Sequence, residues 1–157
     1  EVVGLDVAET RLEKAKELGL DEVYRIGTDG DEALIAELEA RAFDVVIDTS
    51  GAAAGFDTAT RIVKPAGLVN LFGWVKGTES PVNLSRFHQK SIQITNTSPG
   101  ARIRDVFPVA IDCIEKGIFD MEPLVSHIVP MREYPDLMRR ILDGDPGYLK
   151  GVVRLTD

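Results

Sequence analysis

A doubly wound, mostly parallel α/β sheet, three layers deep, is the fold class this sequence predicts, and three observations predict it. Short apolar runs alternate with helical patterns at roughly 20 to 30 residue spacing, the rhythm of strand–helix–strand crossovers. Two of the runs, FDVVIDTSG (43–51) and GLVNLFGW (67–74), are nearly continuous in apolar residues, as parallel strands covered on both faces should be. Each run also ends on small or polar residues with a glycine, the composition expected where loops converge at the carboxyl edge of a sheet.

The elements follow in order. Residues 1 to 5 read as a short buried strand, and Ala8, Leu12, Ala15 and Leu18 then fall at helical spacing, with Gly19 as the stop. Val23 to Ile26 reads as a second short strand and GTDGDE as a turn. Leu34, Ile35 and Leu38 mark the inner stripe of the solvated surface helix DEALIAELEA. The strand at 43–51 follows, then a helix with the stripe Phe56, Ala59, Ile62 and Val63, ended by Lys64-Pro65. The strand at 67–74 leads into a polar loop with a short helical piece, and SIQITNT (91–97) supplies another strand. Asp105 can cap a helix running to about Lys116, with Pro108 in its first turn and Gly117 closing it. LVSHIV (124–129) reads as a short edge strand, Glu133 to Leu142 as the last helix, and GVVRLT (151–156) as the terminal strand after a flexible DGDPG.

A length of 157 residues predicts about one domain with a sizeable core. A hydrophobic fraction of 44% with 28% charged residues is globular. The net charge of −8 argues against a nucleic-acid partner, because phosphate binding needs a basic face. No run of 18 apolar residues and no signal peptide occur, so neither a membrane span nor secretion is suggested. The single cysteine, Cys113, excludes an internal disulfide and fits a reducing compartment, hence a cytoplasmic location.

Three strand ends carry the candidate chemistry: Asp6, then Thr49-Ser50-Gly51, then Phe72-Gly73-Trp74. Small residues and glycines let a flat ligand approach the backbone. Asp6 has two readings. It can accept hydrogen bonds from the hydroxyls of an adenosine ribose, or it can cap the helix beginning near Glu9. On the first reading it repels a 2′-phosphate: like charges about 4 Å apart cost roughly 1 kcal/mol in water and about 4 at a protein surface, so NAD is preferred over NADP. Arg11, one helical turn on, can pair with Asp6, lie along the ribose, welcome a 2′-phosphate, or be a solvated residue of a charged helix. Trp74 can pack against a cofactor or cover the sheet end.

Other residues carry less. No GxGxxG occurs. Cys113, His88 and His127 have no zinc-like spacing, and Ser50 lacks a GxSxG elbow. Cys113 shares a helix face with Val106, Val109 and Ala110 and reads as a small core residue, His127 as a structural histidine in an apolar strand, and His88 as exposed.

In order and content the segments VVGLDVAETRLEKAKELGLDEV, FDVVIDTSG, ATRIVKPAGLVNLFG, DVFPVAIDCIEKGIFDMEPLVSHIVPM and GYLKGVVRLTD resemble the cofactor domain of the medium-chain, zinc-type alcohol dehydrogenases, over nearly the whole chain. The resemblance implies a Rossmann-like domain over 1–144, with 145–157 returning toward a catalytic domain. It makes Asp6 the ribose-binding acid and Arg11 the basic residue beside the adenosine. Thr49, Ser50 and Gly51 fall on the loop passing the nicotinamide ribose. Phe72, Gly73 and Trp74 fall where the backbone meets the nicotinamide, and Thr97 falls on the next such turn. It makes His127 a structural feature of the turn into the last helix. It also implies a zinc-binding catalytic domain and a glycine-rich first strand, neither of which this sequence contains. The expectation is therefore an incomplete domain from a longer NAD-dependent alcohol or polyol dehydrogenase, an oxidoreductase inactive as this fragment alone, with zinc only in the missing part. The family's edge strand near 92–97 commonly builds a dimer sheet, so a homo-oligomer is expected.

Three alternatives stand beside it. A zinc-free quinone reductase of the same superfamily would usually prefer NADP, against Asp6. A methyltransferase would end in an antiparallel strand pair and bind S-adenosylmethionine. A non-enzymatic nucleotide-binding or oligomerisation module would self-associate without catalysis. The loop at 75–90 carries no readable substrate code.

Overall fold

In the computed structural model, residues 1–28, 30–75, 77, 81–97 and 103–155 are described. Asp29 of the GTDGDE turn, positions 76 and 78–80 of the polar loop, and Thr156 of the closing strand lie outside them. Seven strands form among the described residues: β1 (Val3–Asp6), β2 (Glu22–Arg25), β3 (Phe43–Asp48), β4 (Val63–Leu71), β5 (Gln93–Asn96), β6 (His127–Pro130) and β7 (Gly151–Arg154). The helices are α1 (Glu9–Glu17), α2 (Asp31–Arg41), α3 (Ala53–Ile62), α4 (Leu84–Lys90), α5 (Ile103–Glu115) and α6 (Tyr134–Leu142). Every strand pairing is parallel. Among the described residues the strands lie in three parallel sheets, ordered β1-β2, β3-β4-β5 and β6-β7, in line with the predicted α/β class. The chain divides into two compact units, Glu1–Gly27 with Arg104–Asp157, and Thr28–Ile103.

In the first unit, α1 makes the crossover from β1 to β2, and Leu12 is its buried residue, as the helical spacing predicts. The second sheet of this unit joins β6 to β7 through α6, with Leu137 buried beneath the helix. A polar hub holds the segment together. Ser126 Oγ accepts the Leu149 amide at 2.9 Å, His127 Nδ1 lies 2.9 Å from Ser126 Oγ, and Arg140 donates to Asp145. The Gly147 amide bonds the Asp145 carboxylate at 2.9 Å. That bond, followed by the Arg140 contact, holds the Asp145 carboxyl below its ordinary value of 3.8 against the opposing effect of burial. His127 therefore sits in a structural network, as the sequence reading has it.

Three expectations in this unit change. Pro108 lies inside α5 and past its first turn. Asp105 stands inside the first turn of α5 instead of capping it; an acid there still meets the positive end of the helix dipole. Cys113 is half-buried, and its face-mates Val106 and Val109 are exposed. α5 buries no residue. Helical periodicity says which residues share a face and not what covers that face.

The second unit is built on β3-β4-β5. Its core is Ala59, Val63 and Val69, with Val46, Phe56, Leu71 and Ile92 packed against them. Burying each valine stabilises the fold by roughly 1.5–3 kcal/mol. Lys90 at the end of α4 donates to the carbonyl oxygens of Arg61 and Val63 and to Glu39, satisfying acceptors that α3 leaves open at its C-terminal end. β4 starts at Val63, directly after α3, so the KPAG segment read as a helix stop lies within the strand. The register against β3 shifts between Phe43 and Val45 and Ala66 takes a left-handed φ of 56°, which accommodates the extra residues as an irregularity. β5 is shorter than SIQITNT, because Ser91 is the left-handed C-cap of α4.

β3 is not covered on both faces within its unit. Val46 and Asp48 face the core side, while Val45 and Ile47 are 52% and 57% exposed.

Candidate functional site

The candidate residues divide between the units, and each group is built at the carboxyl end of parallel strands. In the first unit β1 ends at Asp6, whose carbonyl accepts the Ile26 amide at 3.0 Å just beyond β2. Its carboxylate is used on one side only. Oδ1 accepts the Ala8 amide at 2.9 Å and faces Arg11 Nη1 at 3.4 Å, and no described donor reaches Oδ2. Both readings of Asp6 thus have a physical basis: one oxygen holds the entry turn of α1 and the other is available to a ligand. The side chains of Arg11 and Asp6 are 56% and 31% exposed, so their ion pair is worth little in solvent. Arg25, in register with Asp6 and donating from Nε to the Val7 carbonyl at 3.3 Å, is a second cation here that the sequence reading missed. Its signal was its place at the end of the neighbouring strand.

In the second unit two turns meet. The carbonyl of Asp48 accepts the amides of Phe72 at 3.0 Å and Gly73 at 2.8 Å, which draws the end of β4 onto the end of β3. Side chains between the two turns would block this. A Cβ on Gly73 would stand 2.5 Å from the Gly51 nitrogen and from the Thr49 carbonyl carbon, and one on Gly51 would run into the Trp74 carbonyl. Gly51 also has φ +61°, where an L side chain is strained. Thr49-Ser50-Gly51 and Phe72-Gly73-Trp74 therefore come together, as two stretches of backbone in contact. Trp74 does not cover the sheet end: it is 88% exposed, because its main chain and not its ring makes the contact. Phe72 is exposed as well.

Thr97, just past β5, is held by Asn70 of β4. Asn70 Nδ2 donates to Thr97 Oγ1 at 2.9 Å, and the hydroxyl lies 3.0 Å from Asn70 Oδ1. Asn70 was not singled out in the sequence, although a polar residue inside an apolar strand was its mark. Asp48 was passed over too. It is 9% exposed, and Oδ1 accepts the Ser50 amide at 2.9 Å and its hydroxyl at 2.6 Å. The Asp-x-Ser spacing of a side-chain turn was the available signal.

Among the described residues, no three His, Cys, Asp or Glu side chains lie together to hold a metal ion, and no helix is long and apolar enough to cross a membrane. Histidine 88 is exposed on α4.

Parallel strands whose carboxyl ends carry small residues, a spare carboxylate and apposed backbone turns define a ligand-binding α/β protein. Residues 1–116 match the family described as zinc-binding dehydrogenase, and the chain belongs to that family. A zinc-type alcohol dehydrogenase-like protein, YdjJ, of Escherichia coli K12 is 27% identical, over 100% of this chain and 44% of its own length. The 2-dehydro-3-deoxy-L-galactonate 5-dehydrogenase of Pseudoalteromonas atlantica is 26% identical, over 98% and 44%. The chain thus spans less than half the length of these relatives. A solved structure described as a short chain alcohol dehydrogenase, rspB, from E. coli CFT073, complexed with NADH, superposes with a TM-score of 0.84 at 24% identity, over 99% of this chain and 44% of that one. The fold is that of Rossmann-like dehydrogenases.

Proposed function

We propose that this chain is the nucleotide-binding part of an NAD-dependent, zinc-dependent dehydrogenase that acts on an alcohol or polyol. The observation that carries the reading is the spare oxygen of Asp6. It lies at the carboxyl end of a parallel strand and no donor among the described residues reaches it, while Oδ1 is committed to Ala8 and Arg11. A hydroxyl of the adenosine ribose can donate to Oδ2 without displacing Arg11. Such a bond to a charged acceptor is worth about 1.5–3 kcal/mol. A 2′-phosphate there would face the Asp6 carboxylate, which repels it. NAD is therefore favoured over NADP.

Each unit by itself carries groups suited to one half of a dinucleotide. In the first, a carboxylate oxygen of Asp6 that no described donor reaches suits an adenosine ribose. In the second, the backbone turns 49–51 and 72–74, with Thr97 beyond the next strand, suit a nicotinamide. When bound, the nicotinamide gives or takes the hydride. Within the first unit Asp6 and Arg11 would act through charge and hydrogen bonding, and within the second the two turns would act by shape and close backbone approach. Residues 1–144 are assigned to nucleotide binding and 145–157 to the return toward a catalytic portion. Among the described residues no three His, Cys, Asp or Glu side chains lie together as a zinc site would need. On this reading the zinc is held in the part of the whole enzyme that the relatives carry beyond the matched length. The partners are NAD and a small alcohol or carbonyl compound, in a cytoplasmic homo-oligomer with no nucleic-acid or membrane partner. β5, which among the described residues pairs only with β4, is the edge assigned to self-association.

Support comes from a relative that is a sugar-acid dehydrogenase and from a neighbour of the same fold that carries NADH. Titration calorimetry with NADH and NADPH tests the reading: NADH is expected to bind at least about tenfold more tightly, equivalent to about 1.4 kcal/mol. Equal affinities, or a preference for NADPH, would remove it.

A further inference from the structure

The second unit contains a carboxylate that the function above does not use. Asp48 is 9% exposed, and among the described residues it makes no ion pair. It is stabilised instead by dipoles: the Ser50 amide at 2.9 Å and the Ser50 hydroxyl at 2.6 Å, both on Oδ1. Ser50 Oγ in turn accepts the Ala52 amide at 3.1 Å at the start of α3. Gly55 in the first turn of that helix leaves the room this needs, since a Cβ there would lie 3.0 Å from Asp48 Oδ1 and against Ser50 Oγ. A buried carboxylate without such donors costs several kcal/mol, so the arrangement holds only while the Ser50 turn keeps its shape. The main-chain carbonyl of the same residue accepts Phe72 and Gly73 at 3.0 and 2.8 Å.

One residue therefore references both turns. Its side chain fixes 49–51, its carbonyl fixes 72–74, and the two fixings are separated only by the covalent bonds of Asp48 itself. We propose that Asp48 is the positioning residue that sets the spacing of the two turns receiving the nicotinamide end of the cofactor. It touches neither cofactor nor substrate; it acts through Ser50, Gly51, Phe72 and Gly73. The proposal rests on the assignment of those turns to the nicotinamide. What it requires of position 48 is an acceptor oxygen at that point, not a charge.

The test compares NADH with ADP-ribose, which keeps the adenosine half and lacks the nicotinamide, by calorimetric titration of wild type, Asp48→Ala and Asp48→Asn. Wild type binds NADH more tightly than ADP-ribose. Asp48→Ala loses at least about tenfold in NADH affinity and stays within about twofold for ADP-ribose, because Asp6 is untouched. Asp48→Asn, whose amide oxygen still accepts from Ser50, restores NADH binding to within about threefold of wild type. If Asp48→Ala lowers both ligands equally, the residue is a general structural support and the proposal fails. If it lowers neither, the proposal also fails. A wild type that binds the two ligands equally well sinks the assignment of the turns, and this inference with it. Hydrogen exchange on the free chain adds a readout that needs no ligand. In Asp48→Ala the Ser50 amide loses protection while Phe72 and Gly73, bonded to the main-chain carbonyl, keep theirs; a Ser50 amide that stays protected would show that the carboxylate does not hold the turn.

Discussion

Asp6 and Asp48 end parallel strands in different units and use the same local device. Each accepts the amide of the residue two positions on, Ala8 and Ser50, with Oδ1 at 2.9 Å. They differ in burial and in what else approaches them. Asp6 is part-exposed and paired loosely with Arg11, and no described donor reaches its second oxygen. Asp48 is almost enclosed, and a serine hydroxyl shares its inner oxygen. The same turn chemistry thus occurs once within reach of solvent, where the acceptor proposed for a ligand lies, and once enclosed, where the proposed positioning role lies. An aspartate at a strand end is consequently not a site by itself: both leave Oδ2 without a described donor, and what separates them is exposure.

Substitutions that strain each region should separate the two roles. The largest effect is expected from Gly51→Ala in the scaffold. A left-handed alanine costs about 1–2 kcal/mol, and its collision with the Trp74 carbonyl adds about 1–3 kcal/mol of overpacking. Urea denaturation should lose about 3 kcal/mol. Gly19→Ala in the first unit, also at positive φ but with nothing within 4 Å, should lose only the conformational part, about 1–2 kcal/mol. Next comes Asp48→Ala, which removes the charged acceptor of two part-buried Ser50 hydrogen bonds and should destabilise by about 1–3 kcal/mol in the same assay. Asp6→Ala should cost less, about 0.5 kcal/mol, because water replaces the lost acceptor. Equal losses at positions 6 and 48 would erase the distinction.

The smallest effect is a pH dependence. Asp145 repeats the device on the Gly147 amide, which with Arg140 holds its carboxyl below 3.8 in the folded state. A folded value below the unfolded one means that the contribution is fully present above the unfolded value and is lost as the pH falls through the folded one. The urea midpoint should therefore drop more gently with acid in Asp145→Asn than in wild type, and the two curves should run parallel above the ordinary aspartate range. A divergence at neutral pH instead would contradict this.

Much of this was legible beforehand, and what was not has physical reasons. The spacing of Leu12 in α1 and of Ala59 and Ile62 in α3 gave the helices their buried sides, and Asp6 stood out as a polar stop to an apolar run. The same logic hid Asp48, because in FDVVIDTSG an aspartate before Thr-Ser-Gly reads as the mere end of a strand. Its burial depends on the turn of β4 that returns against it, a contact between residues more than twenty positions apart, as Gly73 bonding Asp48 shows. Continuous apolar character in β3 likewise could not say that Val45 and Ile47 would stay exposed. The KPAG segment read as a stop because proline ends helices, yet proline is compatible with an irregular strand start.

The most direct test of the account is NADH titration of Asp6→Ala beside wild type, with the urea midpoint of both measured in the same buffer. The account predicts that NADH affinity falls about tenfold to a hundredfold, matching one hydrogen bond to a charged acceptor, while the midpoint barely moves. Unchanged affinity in the alanine variant would mean that the nucleotide does not rest on this carboxylate.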